Sequence, residues 1–466
     1  MNASTRVGID GERFTLNGSA TYSPELGFPN ADPQLLGTLL NVRAAQAVFD
    51  DANYPALGSR HSPYVVRGRA VFWDYPDGPW DPGRNVQEFI AALPGWRACG
   101  VLAFTVNLQG GGPVDGNFAG TQPHDNSGFT PDGRLKPEYA DRLRRVVAAA
   151  NALGMAAIVG FFYFGQDQRI EPAPDDANVR RAIEEAAGFL RDLPHRNTLI
   201  EIGNETNARS YVHALLRPDG VAGAIRLARD VARGEIPVST SWPGLPPEGT
   251  AVDDALAASD FHLPHTNTRT PEEVRASLAT LRQRVGPGKP ILINEDEVTA
   301  SNVWAAVDCG SGWGYYDQGR GNYREGFQSP PVDWRISTLE KWLFFEACAR
   351  LSGQPAPPRA APGPDAPAVT LVALADGAEM LPSTGPIEAR ADAVPGYPVK
   401  RVEFFVDGRP VGWRKEEPYA IGGEGEWEGL GLTPGEHTLR AVAYARTGPS
   451  FSETAGMAEA RVVMKE

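Results

Sequence analysis

The stretch LIEIGNETN, residues 199–207, is the part of the sequence that decides the fold. Its apolar residues predict a short buried strand that ends in the polar pair Asn204-Glu205. The stretch PILINEDE, residues 290–297, has the same design and brings Glu295 to the end of a second strand. Two strands that each deliver a carboxylate at the carboxyl end predict one pocket in which two acids face each other.

Short apolar runs alternate with amphipathic segments over most of the chain. The runs lie at 39–49, 101–109, 155–164, 198–205, 236–242, 259–265, 290–297 and 311–317. The helix-like segments lie at 86–98, 138–153, 178–193, 221–233, 271–285 and 336–351, and a further helix is expected after the seventh run. Eight strand-then-helix units predict an α/β fold of the (β/α)8 TIM-barrel type. The run RFTLNG at 13–18 is expected to close the bottom of the barrel.

Three connections are long, at 50–84, 110–135 and 316–333. They follow the first, second and eighth strands, so all three are expected on the face where the carboxyl ends of the strands open. Long loops on that face build pocket walls or lids.

The composition changes at residues 352–367, where the proline-rich run predicts a semi-rigid linker. We therefore expect a barrel domain at 1–351 and a second domain at 368–466. In the second domain, strands of period two and a turn at Asp407-Gly408 predict an all-β immunoglobulin-like sandwich. Its Trp413 and Trp427 are isolated, which favours a spacer or stabilising role over a role in sugar binding.

The composition excludes several partners. A formal net charge of −14 repels phosphate backbones, so we expect no nucleic-acid partner. Only three cysteines occur, without the spacing of a metal site or a disulfide framework. No apolar stretch is long enough to cross a bilayer, and the first ten residues lack the apolar core of a signal peptide. We expect no membrane partner, no metal and no cofactor.

A pair of facing carboxylates is the arrangement that glycosidic bond hydrolysis requires. Asn204-Glu205 after the fourth strand, with Glu295 after the seventh, resembles clan A of the retaining glycoside hydrolases. That resemblance covers most of residues 1–350 in architecture, although its motifs are short. It implies an O-glycosyl hydrolase of oligo- or polysaccharides that acts by double displacement. It also implies an extracellular, periplasmic or cell-surface location.

The resemblance implies a role for each matching residue. Glu205 would be the general acid/base, and Glu295 would be the nucleophile. Asn204 would hydrogen-bond the sugar 2-hydroxyl, and Trp313 would floor the subsite at the cleavage point. The chain departs from the clan in having Asp-Glu-Val after Glu295 and no obvious histidine on the third strand.

Other polar residues near the strand ends are candidates for substrate binding or for bracing the acids. These are Arg43, Asn107, Gln109, Tyr163, His262 and His265. Trp73 and Trp80, in the first long loop, are suited either to sugar stacking or to loop packing. The glycine run after Gln109 lacks the lysine of a phosphate-binding loop, so it predicts a substrate loop or a turn.

Several alternatives stay open on the sequence alone. Glu297 shares strand parity with Glu295 and competes with it as the nucleophile. The pair His262 and His265, with the acids at 295–297, could form a metal-dependent hydrolase. A carbohydrate-binding barrel without catalysis is a third interpretation, and an inverting glycosidase is a fourth.

Overall fold

Seven parallel strands form the largest sheet of the protein. The structure is a computed structural model that describes residues 4–50, 64–66, 69–71, 74–110, 125–208, 210–319, 323–328, 330–372, 374–381, 386–422, 430, 432–446 and 453–465. The strands before the proline-rich run are β1 (Val7–Asp10), β2 (Arg13–Leu16), β3 (Ser19–Ala20), β4 (Leu40–Arg43), β5 (Tyr64–Val66), β6 (Arg69–Val71), β7 (Ala103–Asn107), β8 (Ala156–Tyr163), β9 (Thr198–Asn204), β10 (Val238–Ser239), β11 (Ser241–Pro243), β12 (Leu263–His265), β13 (Leu292–Ile293) and β14 (Gly312–Tyr315). The large sheet has the order β10-β9-β8-β7-β4-β14-β13.

The central strands of this sheet are buried on both faces. Every residue of β4, β7, β8 and β9 is buried. That pattern is typical of a parallel sheet that is covered by helices, and it explains the continuous apolar runs in the sequence.

Further pairings connect the two ends of the seven-stranded sheet. β11, one residue after β10, pairs in parallel with β12. Parallel bridges then join His262 to Ile291 and His265 to Glu295, beside β13. The backbone pairings therefore run from β13 through β12 and β11 to the neighbourhood of β10, which makes the sheet strongly curled.

Eight α-helices lie in the described part of the chain. They are α1 (Pro82–Ala98), α2 (Pro137–Ala152), α3 (Ala177–Asp192), α4 (Val221–Val231), α5 (Thr250–Ala258), α6 (Pro271–Val285), α7 (Ala300–Asp308) and α8 (Leu339–Ser352). α3 shows why such segments fold: its buried residues recur three and four positions apart, from Val179 to Leu190. α6 starts at a capping box between Thr270 and Glu273.

Two of the helices differ from the sequence expectation. The sequence gives only a weak signal for α5, because this helix is nine residues long and rich in alanine. The helix expected after the seventh strand is α7, which is buried at every position except Asp308. A helix that is buried on all sides has no polar face, and therefore no amphipathic period to detect.

The N-terminal strands β1, β2 and β3 form a small antiparallel sheet. Phe14 of β2 makes an edge contact with Phe261, at a centroid distance of 5.7 Å. Phe261 lies just before β12, so this small sheet packs at the amino ends of the parallel strands. The run at 13–18 therefore lies on the side where it was expected.

The long loops are described only in part. Trp73 and the glycines at 111 and 112 lie outside the described residues. Trp80 is buried, stacks on Tyr75 at 5.5 Å and meets Phe49 edge-on. Its ring therefore packs the loop.

The residues after the proline-rich run form separate β-sheets. The strands are β15 (Ala368–Leu371), β16 (Ala378–Met380), β17 (Ile387–Asp392), β18 (Val399–Val406), β19 (Arg409–Arg414), β20 (Tyr419–Ile421), β21 (Gly435–Ala445) and β22 (Thr454–Met464). They pair as a three-stranded sheet, β15-β17-β20, and a five-stranded sheet, β16-β22-β21-β18-β19. The predicted turn is confirmed, because Asp407 and Gly408 join β18 to β19 with φ angles of 50° and 79°.

The five-stranded sheet has two buried faces. Phe404 belongs to a small core shared with the three-stranded sheet, whereas its neighbour Phe405 belongs to the large core of the N-terminal part. The chain at 353–367 has neither helix nor strand, and Pro357 O accepts a hydrogen bond from Trp342 Nε1 at 3.0 Å. The domain boundaries themselves stay a prediction.

Across the described residues, none of the helices combines the length and the apolarity needed to cross a bilayer.

Candidate active site

Glu205 lies directly after β9 in the left-handed backbone conformation, with φ 51°. A residue other than glycine adopts this conformation at a cost on the order of 1–3 kcal/mol. The turn is held by two hydrogen bonds: Glu205 N donates to Ser241 Oγ at 2.9 Å, and Glu205 O accepts from Ala208 N at 2.7 Å. The turn places the carboxylate in the wall of a cavity of about 330 Å³.

Glu295 follows β13 and lines the same cavity. Its backbone is fixed by the parallel bridge to His265, and Glu295 O accepts a hydrogen bond from Thr266 N at 3.1 Å. One carboxylate oxygen, Oε2, lies 2.6 Å from Arg43 Nε, and the other, Oε1, accepts from Asn267 Nδ2 at 3.0 Å. Both contacts stabilise a negatively charged carboxylate.

The two carboxylates face each other across the cavity. An oxygen of Glu205 and an oxygen of Glu295 lie within 4.8 Å. Their exposures differ, since the Glu205 side chain is 18% exposed and the Glu295 side chain 7%. One acid is therefore open to solvent while the other is enclosed.

His265 lies between the two acids. Its Nδ1 is 2.9 Å from Glu205 Oε1 and 3.7 Å from Glu295 Oε2. Burial of the ring disfavours its charged form, but the two carboxylates outweigh burial and raise the pKa of His265. The imidazole can therefore supply a proton that is shared with Glu205.

Arg43, on β4, connects the pocket to a carboxylate beneath it. Its Nη2 donates to Asn204 Oδ1, and its Nη1 lies 3.6 Å from Glu201 Oε2. Burial alone would lower the pKa of Arg43, but Glu295 and Glu201 outweigh burial and raise it. The guanidinium is therefore a fixed positive charge between two buried acids.

Aromatic side chains form much of the remaining wall. Tyr163 and Phe164 follow from β8, and Tyr316 follows β14. Burial, reinforced by Glu295, raises the pKa of both tyrosines well above the ordinary value. Both phenols are therefore neutral and can donate a hydrogen bond to a ligand.

The other predicted residues of the pocket have mainly structural contacts. The Asn204 amide oxygen is bound by Arg43, and no partner for its Nδ2 is recorded among the described residues. Gln109 Nε2 donates to Ser127 Oγ at 2.9 Å and to Gln166 O at 3.1 Å, which fixes the neighbouring loop. Asn107 is buried against Gly160, below the cavity.

Arg43, Asn107, Gln109 and Asn204 are not among the residues that line the cavity, and His262 and Trp313 lie away from it. His262 precedes β12, where its backbone pairs beside Ile291, and burial lowers the pKa of its ring to about 3. Trp313 is fully buried and packs on Phe344 of α8 at 5.6 Å. Its indole therefore lies between the sheet and the helices and lines no part of the cavity.

The competing acids after Glu295 also point elsewhere. Asp296 Oδ2 accepts hydrogen bonds from Trp313 Nε1 at 2.8 Å and from Asn302 Nδ2 at 2.9 Å. Glu297 Oε1 accepts from Thr299 Oγ1 at 2.7 Å and faces the C-terminal sheets. The strand parity that connected 295 with 297 is lost because β13 ends at Ile293.

Three residues of the site are absent from the sequence predictions, and one of them, Glu201, does carry a signal. Glu201 is a charged residue inside an apolar strand, which is itself a signal of a buried partner. Tyr316 lies in the eighth run, but its face could not be assigned. Asn267 lies in an ordinary loop sequence, and only the fold brings it to Glu295.

Glu205, His265 and Glu295 are the one group of possible metal ligands found among the described residues. Their ligand atoms lie close enough to hold an ion, but Arg43 already places a positive charge 2.6 Å from Glu295. A second cation at that carboxylate would be repelled. The alternative metal set is not assembled either, because His262, Asp296 and Glu297 lie elsewhere.

No family model and no curated protein matches the sequence. Solved structures do match. An endo-β-1,4-mannanase from Thermotoga petrophila aligns with a TM-score of 0.40 and 12% identity, over 82% of this chain and 95% of that one. A tri-modular GH5 (subfamily 4) endo-β-1,4-glucanase from Bacillus licheniformis aligns with a TM-score of 0.43 and 10% identity, over 95% and 100%.

A β-glucuronidase from Parabacteroides merdae aligns with a TM-score of 0.40 and 10% identity, over 99% of this chain. This chain spans about half of that protein, at 51%. By their names, these neighbours are a mannanase, a glucanase and a glucuronidase. Their identities and TM-scores are too low to support an inference about the activity of this chain.

Proposed function

We propose that this protein is a retaining glycoside hydrolase that cleaves O-glycosidic bonds of an oligo- or polysaccharide. The observation that carries the proposal is the pair of carboxylates, with oxygens within 4.8 Å across one cavity. Retaining enzymes hold their carboxyl groups about 5–5.5 Å apart, whereas inverting enzymes need about 6.5–9.5 Å to admit a water molecule. Oxygens that approach within 4.8 Å fit the retaining arrangement better than the inverting one.

In the first step, Glu295 attacks the anomeric carbon while Glu205 gives its proton to the glycosidic oxygen. The bond from the anomeric carbon to that oxygen breaks, and an ester forms between the sugar and Glu295. In the second step, Glu205 takes a proton from water, and the resulting hydroxide displaces Glu295 from the sugar. Each step inverts the anomeric carbon, so the overall configuration is retained.

The contacts of each acid suit its role. Glu295 is enclosed, and its contacts with Arg43 and Asn267 fix the position of its carboxylate. Glu205 is the more exposed acid, as exchange of protons with water requires. His265, at 2.9 Å from Glu205, can hold that carboxyl group in position while it gives up its proton in the first step and regains one from water in the second.

The substrate contacts are proposed from the cavity wall and from Asn204, which is buried next to Glu205. Asn204 Nδ2 can donate to the sugar 2-hydroxyl, as the resemblance to the clan implies. The neutral phenols of Tyr163 and Tyr316 can donate to other hydroxyls, and the ring of Phe164 offers an apolar face to a sugar. Tyr316 takes the place at the strand end that the sequence had assigned to Trp313.

We also propose that the curled sheet closes as a (β/α)8 barrel. The pairing of β11 with β12 and the bridges at His262 and His265 support closure, because they connect the two edges of the seven-stranded sheet. The two C-terminal sheets share a core, which supports the immunoglobulin-like sandwich. A polymeric substrate would place the protein outside the cytoplasm, which fractionation of source cells tests.

The test is turnover by Glu205→Gln and Glu295→Gln on substrates found by a screen of chromogenic glycosides and polysaccharides. We expect both variants to lose activity by several orders of magnitude. Azide should partly restore Glu205→Ala on an activated substrate, since that variant still forms the ester with Glu295. Glu297→Gln is the matched control on the same loop and should keep its activity.

The stereochemistry of the first product separates the competing mechanisms. NMR of the nascent sugar should show the anomer of the substrate, and the opposite anomer would indicate an inverting enzyme. Wild-type rates in both Gln variants would refute the assignment. Stoichiometric metal in the purified protein, lost together with activity on chelation, would favour a metal-dependent hydrolase at Glu205, His265 and Glu295.

A further inference from the structure

A second cavity lies where the N-terminal part meets the C-terminal sheets. Its volume is about 260 Å³, and residues from both parts line it. Thr268 and Arg269 line this cavity and also the candidate active site. The two cavities therefore adjoin, and a chain of sugars that leaves the first can enter the second.

The inner wall of the second cavity is a buried cluster of acids around Arg401. Its Nε lies 3.0 Å from Glu403 Oε1, and its Nη1 lies 2.7 Å from Glu453 Oε2. Both carboxylates are buried and share this one guanidinium, and Glu297 adds a third buried acid to the lining. The positive charge that would attract an anion therefore has to come from the rim of the cavity.

The rim of the cavity is cationic. Lys400 and Lys415 are exposed and Arg269 is half-buried, and no carboxylate partner is recorded for any of the three among the described residues. Arg446 adds a fourth cation at the same rim. A cluster of cations without partners is notable in a chain of net charge −14, because most of its arginines lie in ion pairs with acids.

An indole ring lies among these cations. Trp413 of β19 donates from Nε1 to Glu272 Oε2 at 3.2 Å, which fixes the ring across the junction of the two parts. Lys415 Nζ lies 5.1 Å from the centroid of the same ring. A flat apolar surface beside an ammonium group can stack a sugar ring and bind its acidic substituent.

We propose that this second cavity is a subsite for an acidic sugar, one that carries a carboxylate or a sulfate group. Trp413 stacks the sugar ring, and Lys400, Lys415 and Arg269 bind its anionic group. The proposal rests on the proposed function, because it makes the ligand part of the glycan that Glu205 and Glu295 cleave. It also gives the C-terminal sheets a part in substrate recognition, in place of the spacer role that the sequence favoured.

The test is the binding of defined oligosaccharides to the full chain by calorimetry, with Glu295→Gln as the background that prevents turnover. The probes are oligogalacturonides and oligoglucuronides of two to six residues, their carboxyl-reduced neutral forms, and sulfated galactan oligosaccharides of the same lengths. We expect acidic probes to bind more tightly than neutral ones, with an affinity that falls as salt rises. The carboxylated and sulfated probes show which of the two groups the site prefers.

The double variant Lys400→Ala/Lys415→Ala should lower the affinity for acidic probes on the order of tenfold, as the loss of a charged hydrogen bond predicts. The affinity for neutral probes should stay unchanged. Trp413→Ala should weaken both kinds. Lys465→Ala is the matched control, because Lys465 is exposed on β22's C-terminal end and pairs with Glu379 outside the cavity. Lys400, Lys415 and Lys465 are exposed, so the unfolding curves of the lysine variants should stay as in their parent chain.

Equal affinity for acidic and neutral probes, or no loss in the lysine variant, would overturn the proposal. Absence of binding to every acidic probe would also overturn it. Turnover of a short neutral aryl glycoside, which fills only the first cavity, reports on the proposed function separately. A chain that cleaves that glycoside but ignores acidic probes keeps the function and loses the subsite.

Discussion

Replacement of Arg401 by methionine tests how much the contacts between the C-terminal sheets and the N-terminal part contribute to the free energy of unfolding. Arg401 lies on β18, and its side chain is only 10% exposed. It holds Glu403, Glu453 and, through Nη2 at 2.7 Å, Thr299 Oγ1 of the N-terminal part. Its guanidinium also lies 4.1 Å from the centroid of the Tyr444 ring.

The magnitude follows from what the substitution leaves behind. Methionine keeps most of the volume and the contact with Tyr444, but Glu403 and Glu453 stay buried at 1% and 3% exposure without their cation. Removal of one partner from a buried ion pair costs about 3–5 kcal/mol. A cost of this size is a large fraction of the stability of a typical protein, about 5–15 kcal/mol.

The assay is equilibrium unfolding in urea, followed by tryptophan fluorescence at neutral pH and again at lower pH. The loss of free energy of unfolding should shrink as the pH falls, because a buried carboxylate without a cation can be neutralised by protonation. Arg461→Met is the control, since Arg461 pairs with Asp376 on the exposed surface and its loss should be small. If Arg401→Met unfolds at the same urea concentration as wild type, the buried network does not stabilise the junction and the reasoning is wrong.

Three further predictions concern the N-terminal part of the chain. The raised pKa of His265 adds stability only while the ring is protonated. The difference in free energy of unfolding between wild type and His265→Asn should therefore be largest below about pH 6.5 and decline at higher pH. A difference that does not depend on pH would contradict this. The pKa of His262 is about 3 in the folded protein, so the ring binds a proton in the unfolded chain before it does so in the folded one. The free energy of unfolding of wild type should therefore fall relative to that of His262→Leu below about pH 6.5, by up to about 1.4 kcal/mol per pH unit. Stability curves that stay parallel would contradict this. Trp313→Phe should destabilise the fold by about 1–3 kcal/mol, because the hydrogen bond to Asp296 is lost, and should leave KM unchanged. Tyr316→Phe should raise KM, because Tyr316 lines the cavity. A KM that rises in Trp313→Phe alone would support the role that the sequence analysis gives to Trp313.

The sequence predicted the strand ends well because their signals are local. An apolar run that stops at a carboxylate predicts where the strand ends, and the structure has Glu205 and Glu295 just after the ends of β9 and β13. The apolar residues of β9 also predicted that this strand is buried. Contacts between distant segments were not legible: Arg43 and Asn204 meet although 161 positions separate them.

The error at Trp313 shows what strand parity requires. Trp313 and Tyr315 both pack on Phe344 of α8, so the odd positions of β14 face the helices. Gly314 faces inward, where a side chain would meet Asn294 O, and Tyr316 continues that inward face into the cavity. The alternation of the two faces of β14 can be read from the sequence, but no local signal shows which face is inward. The size of the Trp313 side chain therefore favoured the wrong face.

The C-terminal sheets bear on the candidate nucleophile through the segment that follows it. Glu295 faces the cavity, and the next residues are held by the second part of the chain, with Thr299 bound to Arg401 and Ser301 Oγ donating to Glu403 Oε2 at 2.7 Å. A carboxylate is aimed only as well as the backbone that carries it is fixed, and that backbone is anchored on one side by β12 and on the other by β18. The proline-rich run therefore separates two stretches of sequence whose side chains support one site, which composition alone could not reveal.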